Sequence, residues 1–426
     1  DPAARISFTG ARDGRDQLFS DGMAERIMRD DLSDSESNAI AAAYEDMLGG
    51  FVPDLIIAWE FPTGPLRALF PQAVVIDLMP GIAMRAPYPR QIAVDPTGIY
   101  RQSALPALLS GAHHPSEEEL AQWQTARGYY DNFFTEIGAR AQILSALKFP
   151  KRTEFVLLPL QFSNYFGFRI SHDQDSQRQV LERVLQEAPE NAGVIVTQYQ
   201  SPFAAQPEMT TDALLELRQR FPNLQFDRSF DRLAAVSQFI VPWASQTYSV
   251  SSTVGLQTAF FARDLVAPSQ SHLGCLDHRR LALPASEAAA LLQSRYSLLE
   301  ARILQEPGYF LGLAQHFAER KGGAASEYFS DWRFGASAED LTLGERGARA
   351  RKNLYKALSG KRSGVKKGLA LHIASEAGRI ADQIDKAETV SFDVFDTLVT
   401  RKLWAPSDVF VLMGRDLAAS PQALPL

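Results

Sequence analysis

Three groups of side chains in this sequence could do chemistry. At 251–255, Ser251, Ser252 and Thr253 run directly into Val254 and Gly255. Hydroxyls and free backbone N–H groups where a strand gives way to a helix suit a phosphate, and a glycine there lets a ligand come close. An ordinary N-cap uses the same residue types. In "QFDRSFDRL", two carboxylates, Asp227 and Asp231, stand beside two guanidinium groups, Arg228 and Arg232, which could meet an anionic ligand. A solvent-facing helix cap would have the same composition. In "VSFDVFDTLVTR", Asp393 and Asp396 end an apolar strand, where one could attack a phosphoryl group and the other protonate the leaving oxygen.

Single residues add to these. Glu60 and Asp77 end strands of the first half, so either could position or deprotonate a hydroxyl. Gln161 closes the first strand of the second half, at the sheet end where a ligand would lie. His272, after "PSQS", could face the same ligand as a cation. Asp95 in "VDPTG" reads as a turn residue, and His113-His114 before Pro115 read as exposed. No His, Cys or Asp cluster has metal-ligand spacing, and Cys275 stands alone, so no metal is expected. GxGxxG and GxxxxGK[ST] are both missing, which counts against dinucleotide and P-loop binding.

The elements that must position these residues alternate. "PDLIIAWE" and "AVVIDLMPG" read as strands joined by the short helical link "FPTGPLRALFP", and a Pro-rich loop follows through "RAPYPRQIAVDPTGIYRQSAL". A long helical stretch over 116–147 opens with "SEEE", acids where a helix N-terminus favours them. The pattern then restarts with strands 154–159, "GVIVTQYQ", "LQFD", "TYSVSS" and "DLVAP". Between them lie helices over 176–187, "TTDALLELRQRF", "DRLAAVSQF" and "TVGLQTAFFA". Strands separated by helices of this length mean βαβ units and a parallel sheet. The expected fold is α/β: two Rossmann-like domains facing across a cleft, 1–149 and 150–305, broken near Phe149-Pro150. Helices and a basic linker (306–386) and an incomplete domain (387–426) follow. From element order alone, two-domain kinases, dehydrogenases and periplasmic binding proteins fit as well as a GT-B glycosyltransferase.

The 426 residues are 46% hydrophobic and 22% charged, with a single cysteine and a net charge of −7. That describes a globular chain of a reducing compartment that is no general nucleic-acid binder. No apolar run reaches spanning length and the first residues are no signal peptide, so a cytoplasmic location is expected. Without an initiator Met, the N-terminus is expected to be trimmed. Between Arg346 and Lys367 stand nine Lys/Arg and no acid. Such a segment suits an anionic membrane surface at the inner face of the inner membrane, and equally a solvated linker.

Several stretches carry a resemblance. "SSTVGLQTAFFARDLVAP" resembles the (S/N)S(T/S)VGLxAL signature of bacterial capsule and lipopolysaccharide glycosyltransferases, including the retaining β-Kdo transferases. "FVLLPLQ" and "FPQAVVIDLMPGIAMRAPYPRQIAVDPTGIYRQSAL" resemble the same group, in order, across 53–273. The chain departs from it at Ala244-Ser245, where an acid is expected, and at Gln198-Tyr199, where many relatives carry a histidine. The resemblance implies a GT-B enzyme with CMP-Kdo as donor and a lipid-linked or oligosaccharide acceptor, working without a cofactor. Ser251, Ser252, Thr253, Gly255 and Gln161 would hold the nucleotide, and Asp227 or Asp231 would be the nucleophile. The stretch around Asp393 resembles the first motif of the haloacid-dehalogenase (HAD) superfamily, DxDx[TV]. An intact domain of that kind would use magnesium; its later motifs do not occur in this chain, so no phosphatase activity is expected. A HAD-type sugar-phosphate phosphatase and a non-catalytic glycan-binding module are the alternative readings.

Overall fold

The computed structural model describes residues 20–147, 154–189, 191–199, 207–233, 235–305, 307–334 and 342–358. The expected break at Phe149-Pro150, the 359–386 part of the 306–386 segment, and Asp393 and Asp396 lie outside them. The HAD resemblance is also weaker than its composition suggests. Asp393 and Asp396 stand three positions apart, so Phe395 occupies the motif's second aspartate.

Nine strands form two sheets among the described residues: β1 Leu55–Trp59, β2 Val74–Pro80, β3 Gln91–Asp95, β4 Glu154–Leu160, β5 Ala192–Gln198, β6 Leu224–Gln225, β7 Gln246–Tyr248, β8 Asp264–Val266 and β9 Ser297–Leu299. The first sheet runs β1-β2-β3-β9 and the second β6-β5-β4-β7-β8. The second is parallel throughout. Its central strand, "FVLLPL", is buried residue by residue, as a strand covered on both faces must be. Helices 177–187 and 211–220 are each capped by the preceding Ser176 or Thr210, and their apolar residues pack on β4 and β5.

In the second sheet the first strand, β4, lies at the centre. β5 and β6 follow on one side, and the chain then crosses to β7 and β8 on the other. The gap between β4 and β7 is therefore the topological switch point, where open α/β sheets hold ligands at their carboxyl ends. Local chemistry widens it. Leu160 gives its carbonyl to the Tyr199 N–H on the β5 side, so Pro159, one residue earlier, turns its donor-less nitrogen toward β7. β4 pairs with β5 over its whole length, but with β7 only at Val156 and Leu157.

The first sheet differs from the expectation in two ways, and the helices beside it in one. β3, inside the Pro-rich stretch read as loop, is a fully buried strand antiparallel to β2. β9, expected as part of the second half, pairs with β3 in the first sheet. The helical stretch 116–147 is two helices, Glu117–Glu136 and Ala139–Leu147, separated at Gly138 with φ 63°. In the second sheet, "DRLAAVSQF" forms short 3-10 turns rather than a helix, interrupted by Ala235 at φ 57°.

Candidate functional site

Two expected ligand residues meet at the switch point. Gln161 follows β4, Ser251 follows β7, and the Ser251 hydroxyl donates to Gln161 Oε1 at 2.8 Å. Ser252 and Thr253 are half-buried beyond them and open the helix Val254–Phe260. Ser252 Oγ accepts from the Val254 N–H at 3.3 Å. Gly255 serves a purpose other than the one its type suggests. A Cβ there would come 2.6 Å from Leu273 Cδ1 and 3.2 Å from Ser249 Oγ, and its N–H already donates to the Ser252 carbonyl at 2.8 Å. The glycine lets the helix settle against the 271–276 turn.

Four residues past Gln161, a second cluster begins. Tyr165 donates to Glu60 Oε1 at 2.5 Å, and Tyr100 donates to the same oxygen at 3.0 Å. The two phenols also touch each other. Glu60 and Tyr100 both have left-handed backbones, at φ 48° and 49°. A non-glycine residue held there costs about 1–3 kcal/mol and persists only where its surroundings over-determine it. Burial, then the neighbouring Tyr100 and Glu60, push the Tyr165 phenol well above its ordinary value. Tyr165 therefore stays a proton donor to the carboxylate.

The loop that aims Tyr100 is built on Asp95. Its carboxylate accepts from the N–H groups of Thr97, Gly98 and Ala104 and from the hydroxyls of Thr97 and Ser103. Burial lifts its pKa while these donors pull it back. The turn role read for Asp95 thus acquires a purpose, since the turn presents Tyr100. Gly167 supplies the remaining space: a Cβ there would lie 2.7 Å from the Tyr165 ring and 2.9 Å from the Tyr100 ring.

His272 sets its ring 5.2 Å from that of Tyr100, edge to face. It is buried, its Nδ1 has no hydrogen-bond partner among the described residues, and burial lowers its pKa to about 3. A cation was expected here; as it stands the ring is neutral. Asp77 is likewise unavailable to a substrate. It is fully buried, bonded to Arg67 at 2.5 Å and to Thr63 at 2.9 Å. Burial raises its pKa to about 6, with Arg67 opposing.

Asp227 is not brought to either cluster. It caps a 3-10 turn by accepting from the Ser229 N–H at 2.8 Å, the role its composition equally allowed. It follows edge strand β6, three strand positions from β7, or roughly 14 Å at about 4.8 Å per strand. Arg228 is exposed; Asp231 and Arg232 belong to the same turn. Tyr100 and Tyr165 were missed by sequence reasoning, because a loop tyrosine carries no spacing signal. The crowding of "NYFGF" beside a strand end is the trace they leave.

No family model and no curated protein matches the chain. Among solved structures, it is similar to KpsC of Thermosulfurimonas dismutans, a beta Kdo 2,7 transferase. Identity is 16% and the TM-score 0.39, over 65% of this chain and 88% of that one. A beta Kdo 2,4 transferase, also KpsC of that organism, shows 14% identity and a TM-score of 0.40, over 62% and 87%. At that distance neither likeness carries weight for this chain's site or activity.

Proposed function

We propose that the chain is a glycosyltransferase of bacterial surface-polysaccharide synthesis, moving Kdo from CMP-Kdo to a lipid-linked or oligosaccharide acceptor. The observation that supports this best is the Gln161–Ser251 hydrogen bond, which ties together the two loops flanking the switch point of a parallel sheet. The nucleotide phosphate would sit over Ser251, Ser252 and Thr253. The 1–149 and 150–305 halves would supply acceptor and donor surfaces in a GT-B arrangement.

Glu60 is the carboxylate whose surroundings support the chemistry best. Two phenols donate to its Oε1 and fix its orientation, so it can take the proton from the attacking acceptor hydroxyl. Retention through a covalent intermediate on Asp227 or Asp231 rests on the sequence resemblance alone. In that route an aspartate oxygen bonds the anomeric carbon as CMP leaves. The acceptor oxygen then displaces the aspartate, and its proton passes to Glu60.

The test is to incubate the chain with CMP-Kdo and an oligosaccharide acceptor and to follow CMP release and product by mass spectrometry. Glu60→Gln should bind donor and transfer nothing. A trapped sugar on the wild type, absent in Asp227→Asn or Asp231→Asn, would support the covalent step. Normal turnover by both aspartate variants would remove it.

A further inference from the structure

We infer that Tyr199 is the platform on which the nucleotide's heterocycle stacks, displacing the Arg85 guanidinium that covers the ring. The inference rests on the nucleotide-sugar reading above.

Tyr199 follows β5 directly, and its N–H bonds Leu160 at 2.9 Å, so its ring stands beside the loop that starts at Gln161. The residue is 39% exposed, unusual for a large aromatic at the carboxyl edge of a covered sheet. Phe162, next to Gln161, meets it nearly edge-on at 5.8 Å and props it upright. From the loop between β2 and β3, Arg85 places its guanidinium 5.0 Å from the ring centroid. Arg85 is exposed and forms no ion pair with a carboxylate among the described residues. The neighbouring Gln198 is not available as a competing contact, because both ends of its amide are bonded to the Met209 backbone.

A flat aromatic face holds a nucleobase without reading its edges, and a guanidinium displaced to the base's outer face adds a second flat surface. The spacing agrees. Tyr199 after β5 and Ser251 after β7 are two strand positions apart, roughly 10 Å at about 4.8 Å per strand, a gap that a ribose bridges. No other exposed large aromatic of the described residues stands at this edge: Trp59 and Tyr129 belong to the first half, and Tyr355 to the helix Gly344–Leu358.

The deciding experiment is calorimetric titration of CMP into the wild type, Tyr199→Ala, Tyr199→Phe and Ser251→Ala, with thermal melts to verify folding. Loss of a stacked base weakens binding at least about five-fold, so Tyr199→Ala should lose that much while Tyr199→Phe stays near wild type. If Tyr199→Ala binds as the wild type does while Ser251→Ala weakens, the base lies elsewhere and the nucleotide reading survives. A folded wild type that binds no CMP overturns both.

Discussion

Glu60 Oε1 accepts hydrogen bonds from Tyr100 at 3.0 Å and Tyr165 at 2.5 Å, the two phenols arriving on loops after β3 and β4. One carboxylate is thereby tied to both sheets. A hydrogen bond to a charged group contributes about 1.5–3 kcal/mol. Tyr165→Phe and Tyr100→Phe should each lower transfer roughly ten-fold or more, with donor affinity little changed. Rates equal to wild type in both variants would show that the phenols do not tune Glu60.

Gly167 offers an independent handle on the same pair. Gly167→Ala places a methyl 2.7 Å from the Tyr165 ring, so the rings must shift. Overpacking of this kind costs about 1–3 kcal/mol, readable as a lower midpoint in urea. Activity should fall further than stability does. Unchanged activity would mean the ring positions are not critical.

Gly255 tests packing against phosphate approach. Gly255→Val should destabilise the fold because of Leu273, whose Cδ1 lies 2.6 Å from the added carbon. Adding Leu273→Ala should restore stability and donor binding together. Stability regained without binding would return the glycine to the ligand.

Acid should expose His272. Its folded pKa is held down near 3 by burial, below the unfolded value of about 6.5. Between those values the unfolded chain takes up a proton that the folded chain refuses. Stability is therefore present above pH 6.5 and lost as pH falls, by up to about 1.4 kcal/mol per unit. Asp77, raised to about 6, works the other way between its ordinary value and 6. Denaturation midpoints of His272→Phe across pH 4–7 should show a shallower acid loss than the wild type; an equal loss would absolve the histidine.

The helix Gly344–Leu358 turns Gly347, Ala350, Leu354 and Ala357 inward and leaves Arg349, Arg351, Lys352 and Lys356 outward beside exposed Tyr355. That face suits anionic headgroups. Replacing those four cations with Gln should reduce sedimentation with phosphatidylserine vesicles, most clearly at low salt. Binding that persists would leave the face a solvated one. Lys361, Arg362, Lys366 and Lys367, which continue the run, lie outside the described residues.

The parallel sheet was legible because each strand is an apolar run bounded by helical spacing. β3 was not, since "QIAVD" is five residues between prolines, and burial on both faces erases alternation. β9 hides at the end of an Ala/Leu-rich stretch, 285–299, whose composition reads as helix throughout. Gln161 and Ser251 were legible as strand-end polar residues, and the fold joined them. Asp77 and His272 were recognised as special residue types, but burial decides what each can do, and sequence does not carry burial at single positions. Tyr100 depends on an αL backbone and Asp95's donors, neither visible before the loop closes.

The most direct measurement is isothermal titration of CMP-Kdo into the wild type, Gln161→Ala and Ser251→Ala. The Ser251 hydroxyl, which here gives its one proton to Gln161, must turn to the phosphate when donor binds. Loss of that hydrogen bond to a charged ligand is worth about 1.5–3 kcal/mol, so saturable binding by the wild type should weaken by roughly ten-fold or more in Ser251→Ala. Gln161→Ala, which releases the Ser251 hydroxyl, should weaken it less. Binding that both variants leave untouched, or its absence in the folded wild type, would contradict a donor site at the β4–β7 switch point.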